Sequence, residues 1–67
     1  LRSDGVEGRR LRANWSFHGT DTDEVDVRKG AMMTAMGRNS QWFLVTTDKG
    51  ELGLIPVSYC SFTDRAS

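Results

Sequence analysis

The sequence predicts an all-β fold, a small barrel of five short strands. Three observations lead there. Apolar residues recur with a period of two, the apolar runs are rich in aromatic and β-branched residues, and turn residues interrupt them at short intervals. Ala13, Trp15 and Phe17 share one parity, and polar His18-Gly19-Thr20 follows. Val25 and Val27 flank Asp26. Ala31, Met33 and Ala35 alternate with Met32, Thr34 and Met36. Residues 31–36 are built from good helix formers, but the stretch between Gly30 and Gly37 is too short for a stable helix and is read as a strand. Trp42-Phe43-Leu44-Val45-Thr46-Thr47 has strand composition, Leu52-Gly53-Leu54-Ile55 is a further run ended by Pro56, and Cys60 and Phe62 form a last pair. Gly37-Arg38-Asn39-Ser40 reads as a turn. Asp48-Lys49-Gly50 reads as a tight hairpin with Gly50 available for positive φ.

The length of 67 residues allows one domain. Residues 1–10 carry two glycines, five charges and no hydrophobic period, so they are read as a flexible N-terminal arm. Residues 11–62 make the barrel and 63–67 a C-terminal tail. With Leu1 in place of an initiator Met, the chain is expected to be a piece of something longer. The expected core is Ala13, Val25, Val27, Met33, Ala35, Val45, Ile55 and Cys60, with Met32, Met33 and Met36 filling irregular gaps. Cys60 is expected to be an inert buried thiol and His18 an exposed loop residue.

Composition excludes several function classes. Nine Lys and Arg balance nine Asp and Glu, which argues against a nucleic-acid partner. The longest apolar runs, 42–45 and 54–57, are far below the ~20 residues a membrane helix needs, so no membrane insertion is expected. A single cysteine cannot staple the fold and favours an intracellular, cytoplasmic setting. One His, one Cys and no Gly-rich phosphate loop leave no basis for an enzyme, a metal site or a cofactor. The isolated domain is expected to be monomeric.

Four segments, in order, resemble the Src homology 3 (SH3) family. Ala13-Asn14-Trp15-Ser16-Phe17 is similar to its Ala-Leu-Tyr-Asp-Tyr opening. Asp23-Glu24-Val25-Asp26-Val27-Arg28-Lys29-Gly30 resembles Asp-Glu-Leu-Ser-Phe-x-Lys-Gly. Trp42-Phe43 stands at the family's Trp followed by a large residue, and Gly53-Leu54-Ile55-Pro56-Val57-Ser58-Tyr59-Cys60 is similar to Gly-Tyr-Ile-Pro-Ser-Asn-Tyr-Val. The resemblance spans nearly all of 11–62. It implies two nearly orthogonal sheets and a short 3-10 turn at 57–59. It also implies an RT loop at 18–29, an n-Src loop at 37–41 and a distal hairpin at 48–50.

The resemblance also implies a function, a signalling adaptor or scaffold module that binds Pro-rich PxxP segments of another protein or of the same chain. Such segments arrive as preformed polyproline II helices whose flat rings suit aromatic walls. By family position, Trp15, Phe17, Pro56 and Tyr59 line the proline pockets. Trp42 divides them from a specificity pocket that Leu54 lines, and Ser58 stands where the family usually has Asn. Trp42 and Tyr59 can each donate a hydrogen bond. Asp21, Asp23 and Glu24 would attract an Arg or Lys of the ligand, Glu24 foremost, because inward Val25 turns its neighbour outward. Asp26 is expected to face solvent. Phe17 lacks a tyrosine hydroxyl, so the groove is poorer in donors than is usual for the family. The second reading is a non-catalytic docking domain, intramolecular or in a scaffold, whose groove takes a partner without PxxP.

Overall fold

The two-residue period becomes two antiparallel sheets in the computed structural model, which describes residues 5–63. The strands are β1 (Arg10–Ala13), β2 (Phe17–His18), β3 (Asp26–Val27), β4 (Met32–Arg38), β5 (Trp42–Thr47), β6 (Leu52–Pro56) and β7 (Cys60–Phe62). The larger sheet has five strands in the order β6-β5-β4-β1-β7, and β2 and β3 form a separate two-stranded ribbon. Val57–Tyr59 is the expected 3-10 turn. The parity run from Ala13 to Phe17 is not one strand. The chain bends between β1 and β2, where Asn14 N–H donates to Tyr59 O at 2.7 Å and Ser16 Oγ accepts Lys29 N–H at 3.0 Å. No helix among the described residues is long and apolar enough to cross a membrane.

Register places one parity of each strand on the inner face. Leu11 lies opposite both Met33 and Phe62, Ala35 opposite Val45, and Phe43 opposite Ile55. Leu11, Ala13, Met33, Ala35, Phe43, Val45 and Ile55 are buried, and Val25 and Val27 close the core from the other side. Seven of the eight expected core residues are therefore buried. Cys60 is the exception: it is only half-buried because β7 is an edge strand, with β1 beside it and no strand beyond among the described residues. Leu11 and Phe43 are core residues that the sequence reading did not include. The methionines also divide. Met33 is fully buried, Met32 is partly covered, and Met36 sits at a register shift in β4 and is exposed, so it fills no gap.

A turn at 5–8 precedes the first strand and adds to the core. Residues 1–4 and 64–67 lie outside the described residues; of 5–10, expected as part of a flexible arm, Val6 is buried and Arg9 and Arg10 are half-buried. Val6 is buried in the core cluster, Gly8 N–H donates to Ala35 O at 2.8 Å, and the Arg9 guanidinium lies 3.8 Å from the centre of the Phe62 ring. One apolar side chain and a few backbone bonds are enough to hold this turn, and neither leaves a periodic signal.

Two loops position the candidate site. The distal hairpin closes with Gly50 N–H donating to Thr47 O at 2.8 Å, and Gly50 takes φ 88°, as anticipated. Its Asp48 receives two bonds from the Arg10 guanidinium, each 3.1 Å. The segment 18–29 folds over the free edge of β6: Leu54 N–H donates to Asp23 O at 2.8 Å and Val25 N–H to Leu54 O at 3.0 Å. This covers a strand edge that would otherwise be open to pairing. The approach demands glycine at 53, since a Cβ there would lie 2.8 Å from Val25 Cγ1 and 3.0 Å from Asp23 O.

Candidate peptide-binding face

Strand alternation turns Trp42, Leu44 and Thr46 away from the core. Trp42 is paired with Pro56 across β5 and β6. Phe17, at the start of β2, meets it from the ribbon with ring centres 6.4 Å apart and planes at 65°. Tyr59, carried by the 3-10 turn, meets the same Phe17 ring at 5.4 Å and 69°. Both are edge-to-face contacts, the arrangement ring quadrupoles prefer. All three rings and Pro56 are half-buried, so each keeps a face toward solvent. The Trp42 indole N–H and the Tyr59 hydroxyl have no hydrogen-bond partner among the described residues, which leaves both for a ligand carbonyl.

The other expected residues fall around this cluster. Ser58 is exposed on the 3-10 turn, and Leu54 lies on the outer face opposite Leu44. Trp15 stands apart. It lies in the bend after β1, 57% exposed, and no ring contact joins it to Phe17, Trp42 or Tyr59. Its face is available, but nothing packs it into a wall.

Asp21, Asp23 and Glu24 come together, with one carboxylate oxygen from each within 4.8 Å of the others. They flank Leu54 through the backbone bridge between Glu24 and Leu54. Glu24 is the half-buried member, and its Oε1 accepts Thr20 N–H at 2.8 Å. Asp21 and Asp23 are exposed. These carboxylates form the grouping of metal-type ligands among the described residues, and one of their oxygens is already committed to the loop. Asp26 is exposed, as expected, and its Oδ1 accepts Gly19 N–H at 2.7 Å, so this acid braces the loop. His18 is exposed.

Asn39 is a residue that the sequence reading left as part of a turn. Its Oδ1 accepts the N–H of Gln41 at 2.9 Å and of Trp42 at 2.8 Å, and its own N–H donates to Trp42 O at 2.9 Å. Gln41 O in turn accepts Val57 N–H at 2.9 Å. One side chain therefore fixes the backbone of Trp42, and the carbonyl of the same Gln41–Trp42 peptide group ties that loop to the turn carrying Tyr59. Asn side chains often close turns this way, which was the available signal.

Cys60 offers no nucleophile. Partial burial pushes its thiol up to about 11, so it is protonated near neutrality.

No protein-family model matches the chain. Among curated proteins it is similar to protein kinase C and casein kinase substrate in neurons protein 1. The mouse and human sequences are each 33% identical over 58 residues, covering 84% of this chain. The chain spans 13% of the length of these relatives. Among solved structures it is similar to the C-terminal SH3 domain of myosin IB from Entamoeba histolytica, bound to an EhFP10(GEF) peptide. That match has TM-score 0.80 and 17% identity, and covers 87% of this chain and 97% of that one. It is also similar to the SH3 domain of yeast NBP2, with TM-score 0.79 and 22% identity, covering 85% of this chain and all of that one. The strand order, the 3-10 turn and these structural matches agree, and by fold the chain is a Src homology 3 domain.

Proposed function

We propose that this domain is a non-catalytic protein-interaction module that binds Pro-rich segments in the polyproline II conformation, in another protein or elsewhere in its own chain. The observation that carries this reading is the Phe17, Trp42 and Tyr59 cluster, with half-open rings and two uncommitted donors beside three gathered carboxylates. Flat rings and outward donors suit a ligand that brings proline rings and free carbonyls. The peptide-bound myosin IB domain of the same fold supports the reading. A contact of this size gives micromolar binding, about −6 to −8 kcal/mol. Asp21 and Asp23 are the freer acids for a ligand Arg or Lys, and Glu24 contributes the oxygen that Thr20 leaves open. Such a module fits an adaptor or scaffold protein of the cytoplasm.

The test is a titration of labelled protein with Pro-rich peptides bearing Arg at either end, at neither end, or replaced by Ala. The expected result is saturable shifts of the Trp42 indole and Tyr59 ring signals, stronger with Arg. Glu24→Gln should reduce affinity for the Arg peptides by ~0.2 to 1 kcal/mol, less at high salt, and barely affect the Ala peptides. No shift at these rings with any Pro-rich peptide would overturn the reading and leave docking to a partner without PxxP. Equal losses for the Arg and Ala peptides would remove the acidic loop from recognition.

A further inference from the structure

His18 follows Phe17 in β2, so the two side chains leave opposite faces of the ribbon. Phe17 serves the aromatic cluster. Beside His18 there is a separate open cavity of about 330 Å³, and Phe17, Trp42, Tyr59 and Pro56 are not among its lining residues. Val27, Ala31 and Met32 give it an apolar lining. That size lies at the low end of ligand pockets, roughly 300 to 1,000 Å³, and accommodates one side chain rather than a folded element.

The rim carries charge of both signs, but the two signs are not equally available. Asp26 accepts Gly19 N–H at 2.7 Å through Oδ1. Asp48 accepts from both terminal guanidinium nitrogens of Arg10, each at 3.1 Å. Arg28 and Lys49 are exposed and have no side-chain partner among the described residues. With Asp48 paired to Arg10, the remaining rim charge is two cations, Arg28 and Lys49, against one carboxylate, Asp26, whose Oδ2 stays free, so the balance around the apolar lining is positive. Arg28 belongs to the turn between β3 and β4, and Lys49 to the distal hairpin.

From this we infer a second docking site, one that takes an acidic peptide segment presenting a single aliphatic side chain between carboxylates. The aliphatic group enters against Val27, Ala31 and Met32. A carboxylate on one side pairs with the Arg28 guanidinium, which can bind it in a bidentate way, and one on the other side meets the Lys49 ammonium. A segment with acids on both sides of its apolar residue engages both turns, which one isolated carboxylate does not. The site is distinct from the aromatic face, so the domain holds two segments at once, one Pro-rich and one acidic.

The experiment is a titration of the isotope-labelled 67-residue chain with the blocked peptide Asp-Glu-Leu-Glu-Asp. Controls replace Leu by Ser, replace the acids by Lys, or use hexanoate alone. The expected result is movement of the Ala31 and Met32 methyl signals and the Lys49 amide, with the Trp42 indole unmoved. Arg28→Glu combined with Lys49→Glu should weaken the acidic peptide by at least about tenfold. The same double variant should keep its dispersed amide spectrum and its response to a Pro-rich peptide. Silence up to roughly 5 mM peptide would overturn the site. So would equal binding of the Ser or Lys peptide, or shifts confined to the aromatic rings. Hexanoate binding as well as the Leu peptide would overturn the peptide assignment and make the cavity a site for small amphipathic acids.

Discussion

Trp42 and Phe43 are adjacent aromatic residues in one strand, and they belong to different parts of the molecule. Phe43 faces inward, is 2% exposed, lies opposite Ile55 and meets the Phe62 ring at 5.6 Å and 78°. Trp42 faces outward, keeps a free indole N–H and touches Phe17 across the candidate groove. One step along the pleat separates a residue that holds the barrel together from one that, under the proposed function, meets the ligand. The same division runs along β5, since Val45 and Thr47 are buried while Leu44 and Thr46 are partly open. Buried and partly open side chains thus sit on alternate residues of a shared backbone, and the proposed function predicts that substitutions separate stability from recognition.

The strongest test of that separation is Phe43→Ala. Losing a buried ring should cost ~3 to 5 kcal/mol, comparable to the whole net stability of so small a domain. Thermal or denaturant unfolding should show no folded baseline at 37 °C or a midpoint shifted far down. A cooperative transition lowered by less than ~1 kcal/mol would break the inward assignment. Next is Trp42→Ala. The loss of Pro-rich peptide affinity should be ~2 kcal/mol or more, as for aromatic anchors generally, with the unfolding midpoint nearly unchanged. If Trp42→Ala unfolds the domain, the two neighbours are not functionally divided.

Asn39 sharpens the comparison, because it acts on the site only through Trp42. Asn39→Ala removes the acceptor of two backbone N–H groups and should weaken peptide binding by ~1 kcal/mol, with a shifted Trp42 amide signal and little change in unfolding. Asn39→Asp keeps the acceptor oxygen and should restore most of the affinity. Equal affinity in Asn39→Ala and the parent would show that the loop holds Trp42 without it.

The smallest effect concerns Cys60, which has the inner parity but lies on the sheet edge. Its thiol is raised by burial from 9.0 to about 11. A raised folded-state value contributes stability that is complete below the unfolded thiol's range and is lost as pH climbs toward about 11. Alkylation of the native protein should therefore be slow at pH 8 and accelerate only in strong alkali, whereas the denatured chain reacts as an ordinary thiol. Equal rates in both states at pH 8 would place Cys60 on the outside.

Much of this organisation is legible in the chain itself. Parity gives Ala13, Met33, Ala35, Val45 and Ile55 as core, and the same parity in β5 points to Phe43, although its bulky neighbour Trp42 masks it. The distal hairpin follows from Asp48-Lys49-Gly50, and the outward Trp42, Phe17 and Tyr59 follow from the family resemblance. Other features depend on contacts distant in sequence. Val6 is a lone apolar residue between glycines and charges, and only its packing reveals it. Cys60 is less covered than its spacing implies because strand order puts β7 at an edge, and order is not encoded in local alternation. The isolation of Trp15 follows from the bend at 14–16, where bonds to Tyr59 and Lys29 break a parity that reads as continuous.

The pairing of β1 with β7 has a further consequence. Thr63 N–H donates to Arg10 O at 3.0 Å, so the start of the first strand and the end of the last lie side by side. A domain joined this way can be spliced into an exposed loop of a host protein with its two junctions side by side, and the host need not stretch around it. The same adjacency favours circular permutation. A short bridge between the paired ends, with new ends cut at the exposed Lys49, would keep every strand of the five-stranded sheet while reversing which half of the barrel a ribosome makes first.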